Sequence, residues 1–326
     1  MKTPAQNERA LERAFDRVLR EHLHDPDALA DGIAEARDTY RRIRAGYGFK
    51  STAPLLSVEI AKTQKNEHVT YALALLPADV SGLVDVCPFE DSCARTCVAF
   101  SGNGRYDSTH RTRQARTDLM VNHPHAFAHL LYAELMHADS QHLDGFAVRL
   151  NAFSDIRWER VAGWLFAVLD GVEFYDYTKH TLASRPAHTL PANYRLTYSV
   201  SPRTKLTEAR ASLDAGRNVA VVFASRAHSK NDALPDTWCG HEVIDGDKTD
   251  ERYRDPVGVV VGLRRKGSLL AGGELVRAGE RLADEASRAT EYGNAHACTN
   301  CGDEWSTYDA RGLCTDCADV LQEGAK

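Results

Sequence analysis

The stretches FAVRLNAF at residues 146–153, VEFYDYT at 172–178 and YRLTYSV at 194–200 decide the fold of this chain. Each is an apolar run of strand length. Further apolar runs of this length are LLSVEI at 55–60, VTYALALL at 69–76, NVAVVFA at 218–224 and VGVVVGL at 257–263. Helical patterns separate several of these runs, at Thr117–Met136, Trp158–Leu169 and Lys205–Ala215. Strands that alternate with helices indicate parallel βαβ units.

The spacing of the strands refines the fold class. They recur about every 20 to 25 residues over some two hundred, which predicts an α/β fold with a full or partial (β/α) barrel. A doubly wound sheet is the alternative. No glycine-rich phosphate loop follows an early strand, which disfavours a Rossmann or P-loop protein.

Helical segments flank the predicted barrel. Leu11, Phe15, Leu19 and Leu23 recur at helical spacing, and a second helical stretch begins at the DPDA signal near Pro26. Residues 274–292 predict a closing helix before a cysteine-rich tail. We therefore divide the chain into a helical cap at 1–50, a barrel-like catalytic domain at 51–292 and a small module at 293–326.

Composition narrows the class of protein. The chain has 326 residues, of which 43% are hydrophobic and 26% charged, as in an ordinary globular protein. It contains no apolar run long enough for a membrane span and no apolar secretory core near its first residue, so we expect a cytoplasmic protein. The net charge of -6 gives no general attraction to nucleic acid, so any such contact needs a local basic patch.

The tail carries the strongest motif. Cys298, Cys301, Cys314 and Cys317 form the pattern C-x2-C-x12-C-x2-C, in which two tight turns bring four thiolates onto one ion. Four thiolates complete the tetrahedral shell of structural zinc, and zinc binding supplies roughly 10–16 kcal/mol to such segments. The tail therefore predicts a zinc-ribbon-like module, which serves in contact with nucleic acid, in docking of a partner or in structural support.

A second cysteine cluster lies near the middle of the chain. Cys87, Cys93 and Cys97 follow the strand at 69–76, and loops at this end of barrel strands carry the chemistry. Three close thiolates can hold three corners of a [4Fe–4S] cluster and leave one iron for S-adenosylmethionine. They can equally hold zinc, with a fourth ligand from Cys239, His241 or His110.

Polar residues lie at or just beyond the carboxyl ends of three of the predicted strands, where barrel side chains converge on one pocket. These residues are Asn151, Ser154 and Asp155, then Asp176, Tyr177 and Lys179, then Ser199, Ser201 and Arg203. Some of these residues can instead have purely structural roles. Asp155 can cap the next helix, and Lys179 and Arg203 can pair with surface carboxylates.

The block HEVIDGDKTDERYRDP at 241–256 adds Asp245, Asp247 and Arg252 to the candidate substrate-binding residues. The segment DGD is also a favourable turn, so some of these aspartates can serve a loop instead.

The chain resembles the phage family named after gene product 88. The resemblance rests on the order of its motifs over residues 54–268: LLSVEIAKTQKN at 55–66, the cysteine loop at 87–97, VRLNAFSD at 148–155, FYDYTK at 174–179, NYRLTYS at 193–199 and VIDGDKTDERYRDPVGVVVGLRRKG at 243–267. It orders the motifs without supplying a reaction. For a phage protein, the expected location is the host cytoplasm. The layout also looks, more loosely, like radical S-adenosylmethionine barrels, which implies a [4Fe–4S] cluster on Cys87, Cys93 and Cys97.

Three functional hypotheses follow. The first is a phage-type iron–sulfur enzyme acting on nucleic acid or a nucleotide-related substrate, with Asp155, Asp176 and Lys179 as candidate catalytic residues. The zinc tail would then recruit the nucleic acid. The second is a zinc-dependent nucleobase-modifying transferase in which Asp155 or Asp176 is the nucleophile. The third is a non-enzymatic protein with two structural zincs that binds nucleic acid or another protein.

Overall fold

The computed structural model describes residues 1–58, 66–89, 97–100, 102–224, 232–265 and 276–287, which form a mixed α/β structure. The strands are β1 (Leu56–Ser57), β2 (Thr70–Leu73), β3 (Ala147–Arg149), β4 (Glu173–Thr178), β5 (Tyr194–Ser199), β6 (Val219–Phe223), β7 (Thr237–Trp238), β8 (His241–Asp245) and β9 (Val260–Arg264). The helices are α1 (Pro4–His24), α2 (Pro26–Gly46), α3 (Asp107–Asn122), α4 (Pro124–Gln141), α5 (Trp158–Val161), α6 (Gly163–Val168), α7 (Leu206–Asp214) and α8 (276–287).

The strands form one nine-stranded sheet in the order β1-β2-β3-β4-β5-β6-β9-β8-β7. Pairing is parallel from β2 to β6, and β9 is parallel to both β6 and β8. Only the outer pairs β1–β2 and β7–β8 are antiparallel among the strands that the structure describes.

This strand order bears on the predicted barrel. From β2 to β6 the sheet advances in one direction, as in barrel winding, and does not reverse as a doubly wound sheet does. Within the described ranges, however, no pairing joins the outer strands β1 and β7. The mostly parallel α/β sheet is confirmed, and closure into a barrel stays a prediction.

The two faces of β4 show how the sheet is arranged. Side chains of a strand alternate between faces. Phe174 packs on Phe166 of α6 with ring centroids 4.6 Å apart, whereas Tyr175 packs on Tyr253 at 5.5 Å on the other side. One face of the sheet is therefore covered by helices, and the other by the segment that follows β8.

The N-terminal helices share the main core with the sheet. Phe15 of α1 and Phe127 of α4 both contact Trp158, at ring centroid distances of 6.2 and 6.3 Å. Burying an aromatic side chain of this size stabilises a fold by roughly 1.5–3 kcal/mol. The predicted helical cap is thus present as α1 and α2, and its residues lie in the same buried cluster as those of β3 and β4. The domain limits at residues 50 and 292 stay predictions.

A second, smaller core supports the other half of the sheet. It contains Trp238, Val260 and Leu282, from β7, β9 and α8. The helix predicted at 274–292 is therefore present over the described residues 276–287, where it packs beneath β6 and β9.

Two sequence predictions are corrected by local chemistry. The single helix predicted over Thr117–Met136 is two helices, because α3 ends at Asn122 and Pro124 begins α4. Proline has no N–H to donate and clashes with the preceding turn, so it starts a helix more readily than it continues one. The helix predicted over Trp158–Leu169 is likewise divided, at Ala162.

The hairpin of β7 and β8 was not predicted. Its strands are short and alternate poorly, and its turn places Cys239 and Gly240 at φ angles of 52° and 86°. Positive φ at both turn positions matches the right-handed twist of a two-residue hairpin. Within the described residues, no helix combines the length and apolar character that crossing a bilayer requires.

Candidate active site

The central cysteine loop lies against the carboxyl ends of β3 and β4. The backbone N–H of Asp155, just beyond β3, donates to the carbonyl of Val86 at 2.8 Å. The ring of Phe89 meets the ring of His180, just beyond β4, edge to face at 4.7 Å. These contacts place Cys87 beside the residues that the sequence assigned to a pocket.

Asn151 organises the turn that follows β3. Its side-chain oxygen accepts hydrogen bonds from Ser154 Oγ at 2.8 Å, from the Ile156 N–H at 3.0 Å and from Trp158 Nε1 at 3.1 Å. Its amide nitrogen donates to the Ile156 carbonyl at 2.9 Å. The predicted substrate-binding residues Asn151 and Ser154 are therefore buried and engaged in shaping this turn.

Asp155 connects the ends of β3 and β4. Its Oδ2 accepts the backbone N–H of Lys179 at 2.7 Å, and its Oδ1 lies 3.3 Å from Nη1 of Arg185. The residue is 4% exposed. Asp155 is not the helix cap that its position suggested, because Arg157 precedes α5 and makes no capping bond through its side chain.

Arg185 is the centre of a buried charge cluster. It donates to both carboxylate oxygens of Glu159, at 2.9 and 2.6 Å, and to the hydroxyl of Tyr194 at 3.1 Å. Burial opposes the charge of the guanidinium, but Tyr194, Glu159 and Asp155 together outweigh it, so the pKa of Arg185 is raised. We call Asp155, Glu159, Asp176, Arg185 and Tyr194 the Arg185 cluster.

Asp176 is the most deeply placed of the predicted catalytic residues. It is 0% exposed, and its oxygens accept from the Asn151 N–H at 2.8 Å and from the Tyr194 hydroxyl at 2.9 Å. Burial raises the pKa of Asp176 to about 7, although Arg149, whose Nε lies 3.9 Å from Oδ1, opposes the shift. A carboxyl group with such a pKa can hold or release a proton near neutral pH.

Three further strand-end residues are partly open. Tyr177, Lys179 and Ser199 are half-buried, whereas Arg203 is exposed and Ser201 is buried against Thr204. The ring of Tyr177 lies under the Arg149 guanidinium at 5.0 Å on the face away from the helices. His180 is buried beside Asp155, and burial lowers its pKa more than the carboxylate raises it.

The aspartate-rich block forms its own group of contacts. Asp245 and Asp247 pair with Arg264, at 2.7 and 3.3 Å, so these two residues connect the carboxyl ends of β8 and β9. Arg252 donates to the Thr249 carbonyl at 2.7 Å and lies 3.1 Å from Asp255. These bonds show a folded turn, as the DGD segment suggested, and a substrate role for the three predicted residues stays a prediction.

The structure describes two of the seven cysteines that the sequence assigned to metal binding. Cys87 and Cys97 are half-buried and not joined in a disulfide. Cys93, Cys298, Cys301, Cys314 and Cys317 lie outside the described residues. In the described ranges, no three His, Cys, Asp or Glu side chains are arranged to hold a metal ion. Zinc, iron–sulfur and zinc-ribbon assignments therefore stay predictions.

The structure separates the three candidates for a fourth ligand. The His110 ring packs on Phe100, three residues after Cys97, at 5.3 Å. Cys239 and His241 lie instead on the β7–β8 hairpin, where the Cys239 thiol faces the Leu282 carbonyl at 3.7 Å. Burial raises the pKa of Cys239 to about 11, which disfavours the thiolate that a metal needs.

Sequence reasoning missed four residues of this region: Glu159, Arg185, Tyr194 and Arg113. Glu159 and Arg185 belong to none of the quoted motifs, and a loop arginine is ordinarily solvated, whereas Tyr194 lies within NYRLTYS at 193–199 but was not assigned to the site. Arg113 sits in α3 among polar residues, and the helix pattern gave no sign that it is buried. The available signal was Tyr194, which begins a predicted strand within that motif.

The fold and this site define a mixed α/β protein with a buried polar cluster and a cysteine loop at the carboxyl ends of parallel strands. Its sequence matches the family described as Gene product 88 over residues 50–304. The chain therefore belongs to the gene product 88 family of phage proteins. No curated protein and no solved structure gives a significant match to it.

Proposed function

We propose that this chain is a phage metalloenzyme whose metal is held by Cys87, Cys93 and Cys97. Its leading form is an iron–sulfur enzyme of the radical S-adenosylmethionine type on a barrel-like sheet, acting on nucleic acid or a nucleotide-related substrate. The observation that carries the proposal is the contact of the cysteine loop with Asp155 and His180, at 2.8 Å and 4.7 Å.

The donor set suits the metal. Cys87 and Cys97 enter and leave one loop, both have thiols outside disulfides, and Cys93 lies between them in the sequence. Thiolate ligands select iron–sulfur clusters and zinc. A [4Fe–4S] cluster with S-adenosylmethionine supplies one-electron chemistry when bound.

The residues around the loop have separate tasks in this proposal. Asp176 holds a proton at Oδ near neutral pH, because burial raises its pKa to about 7. Lys179 is fixed through its backbone by Asp155 and can bind an anionic group of the substrate. Arg185 and Glu159 keep Asp155 in place and exclude water, and the C-terminal module recruits nucleic acid.

The first experiment is metal analysis of the full chain purified and reconstituted without oxygen. The wild type is compared with a Cys87/Cys93/Cys97→Ala variant and with Cys239→Ala as a matched cysteine control. We expect about four irons and one zinc per chain, with a broad absorption band at about 400 nm. The triple variant loses the iron and the colour, whereas the control keeps both. A colourless wild type without iron would contradict the iron–sulfur form.

A second candidate is the zinc-dependent nucleobase-modifying transferase. It is favoured by His110, because a nitrogen ligand beside three cysteines completes a common zinc shell. Two zincs and no iron would support it. Asp155, whose backbone contacts the residue before Cys87, is its proposed nucleophile.

The non-enzymatic alternative makes a different prediction. If the chain only binds nucleic acid or a partner, Asp155→Asn changes stability alone. Nucleic-acid binding is measured separately, by fluorescence anisotropy of labelled single-stranded and duplex oligonucleotides at two salt concentrations. A Cys298/Cys301→Ala variant that binds as the wild type does would remove the C-terminal module from this role.

A further inference from the structure

Arg113 of α3 is a buried cation that contacts the segment following Cys97. It is 7% exposed, and its Nη1 donates to the Ala99 carbonyl at 2.6 Å. Its guanidinium lies 4.2 Å from the ring centroid of Phe153, just beyond β3. Arg113 therefore stands between the returning end of the cysteine loop and the carboxyl end of the sheet.

The charge of Arg113 is poorly compensated. Among the residues that the structure describes, no carboxylate lies within ion-pair distance of it, whereas Arg185 has two such partners. Burial lowers the pKa of Arg113 to about 10, and the nearby Cys97 opposes that shift. A buried charge costs several kcal/mol unless an opposite charge offsets it.

The backbone around Ala99 is built to hold this arrangement. A Cβ atom at Gly104 would lie 1.8 Å from the Ala99 oxygen, so only glycine lets the turn at 102–105 close on the segment after Cys97. The same carbonyl is the acceptor for Arg113. Packing therefore fixes the guanidinium against Ala99, two residues after Cys97.

We propose that Arg113 is a positioning residue that supplies the counter-charge for the metal-bound thiolates of the cysteine loop. Three thiolates leave one net negative charge on either a zinc ion or a doubly positive [4Fe–4S] cluster. The ring of Phe153 and the Ala99 carbonyl hold the guanidinium in a dry place, where its charge acts strongly. This inference rests on the proposed metal site.

The test measures how metal retention depends on the charge of residue 113. Full-length wild type, Arg113→Met, Arg113→Lys and Arg217→Met are loaded without oxygen and then challenged with EDTA. Arg217 is the matched control because it is buried like Arg113. It donates to the backbone carbonyls of His180 and Arg185, and its pKa is likewise lowered to about 10.

We expect Arg113→Met to lose metal about tenfold faster than the wild type, the size of effect that residues around ligands have on metal affinity. Arg113→Lys and Arg217→Met stay close to the wild type. If the metal is an iron–sulfur cluster, its reduction potential becomes more negative in Arg113→Met, because an added electron is then less stabilised.

Equal metal retention and equal potential in Arg113→Met would overturn this inference and leave the proposed function intact. A wild type without metal at the cysteine loop would overturn both. Circular dichroism of each variant before loading checks the fold. If Arg113→Met does not fold, Arg113→Gln and Arg113→Lys are compared instead, since the first removes the charge and the second keeps it. Equal metal retention in these two variants would overturn the inference.

Discussion

The Arg185 cluster and the surroundings of Arg113 use the same side chain in opposite ways. Arg185 is 1% exposed and donates to Glu159, Asp155 and Tyr194, and no buried polar atom of its cluster lacks a hydrogen-bond partner. Arg113 is nearly as buried but has one carbonyl and one aromatic ring as partners in the described structure. The positive charge of Arg185 is thus offset by carboxylates, whereas that of Arg113 has no carboxylate partner among the described residues.

This difference indicates how the two regions serve function. A saturated cluster resists change, since every atom that a ligand needs is already bound. The Arg185 cluster therefore positions β3, β4 and β5 and holds in place the carboxyl groups of Asp155 and Asp176 that the proposed function uses. The Arg113 side is where an added anionic group increases stability. Substitutions in the two regions should separate stability from binding.

The largest effect is expected for Arg185→Met. It leaves Asp155 and Glu159 buried without their cation, which costs about 5 kcal/mol at the upper end of the range for broken buried pairs. Urea unfolding followed by circular dichroism measures this. Arg113→Met is the matched substitution and should cost no more than about 1–2 kcal/mol. Equal losses in the two variants would remove the distinction between the regions.

Asp176→Asn should change the pH dependence of stability. The pKa of Asp176 in the folded chain is about 7, raised from 3.8 by burial, so between these pH values the unfolded chain has lost a proton that the folded chain keeps. Stability due to this group is complete below about pH 4 and falls as the pH rises to about 7. Asparagine has no such proton.

The variant should therefore gain on the wild type by up to about 4 kcal/mol between pH 4 and pH 8, at 1.36 kcal/mol per pKa unit. The difference between the two urea-unfolding free energies, measured at several pH values, isolates this group from all others. A constant difference would show that Asp176 is ionised throughout. If the enzyme proposal holds, the same variant also loses activity while it stays folded.

Gly104→Ala tests the packing around the cysteine loop. The new methyl group would lie 1.8 Å from the Ala99 oxygen, so we expect a loss of about 2–3 kcal/mol and faster metal release. Gly46→Ala is the control, because a methyl group there meets nothing within 4 Å. Thermal unfolding of the two variants compares them, and a harmless Gly104→Ala would mean that the loop is not held tightly.

The smallest effect is expected at Cys239, which lies in neither region. Its φ of 52° is one that glycine adopts freely, so Cys239→Gly should stabilise the hairpin by about 1 kcal/mol. Metal content should not change, which would confine metal binding to the cysteine loop and the tail. A drop in metal content would instead return Cys239 to the set of ligands.

Much of the fold was predictable from the sequence. The buried parallel strands β6 and β9 are almost continuous apolar runs, β4 and β5 are rich in tyrosine and other strand-forming residues, and the pattern located each within a few residues. The hairpin of β7 and β8 was missed, because its strands are short and its stability comes from α8 and the twist of its turn. The division of α3 from α4 was marked by Pro124 and overlooked.

The proximity of the candidate residues was predictable from the sequence, whereas their contacts and pKa values were not. Strand-end position correctly brought Asn151, Asp155, Asp176 and Lys179 together, because parallel strands end at one edge of the sheet. The partners that set their properties come from loops and helices that no periodicity marks. Arg185 and Arg113 show this, since the burial of each depends on contacts with residues distant in space or outside any motif.

The position of β9 has a consequence for how the chain is made. This strand enters the sheet between β6 and β8, both of which leave the ribosome before it. Until residue 264 has emerged, the growing chain presents the edges of β6 and β8 with unpaired backbone groups, to which strands of other chains can pair. A chain that stops before β9 would therefore leave two strand edges unpaired, and we expect it to aggregate more readily than the full chain.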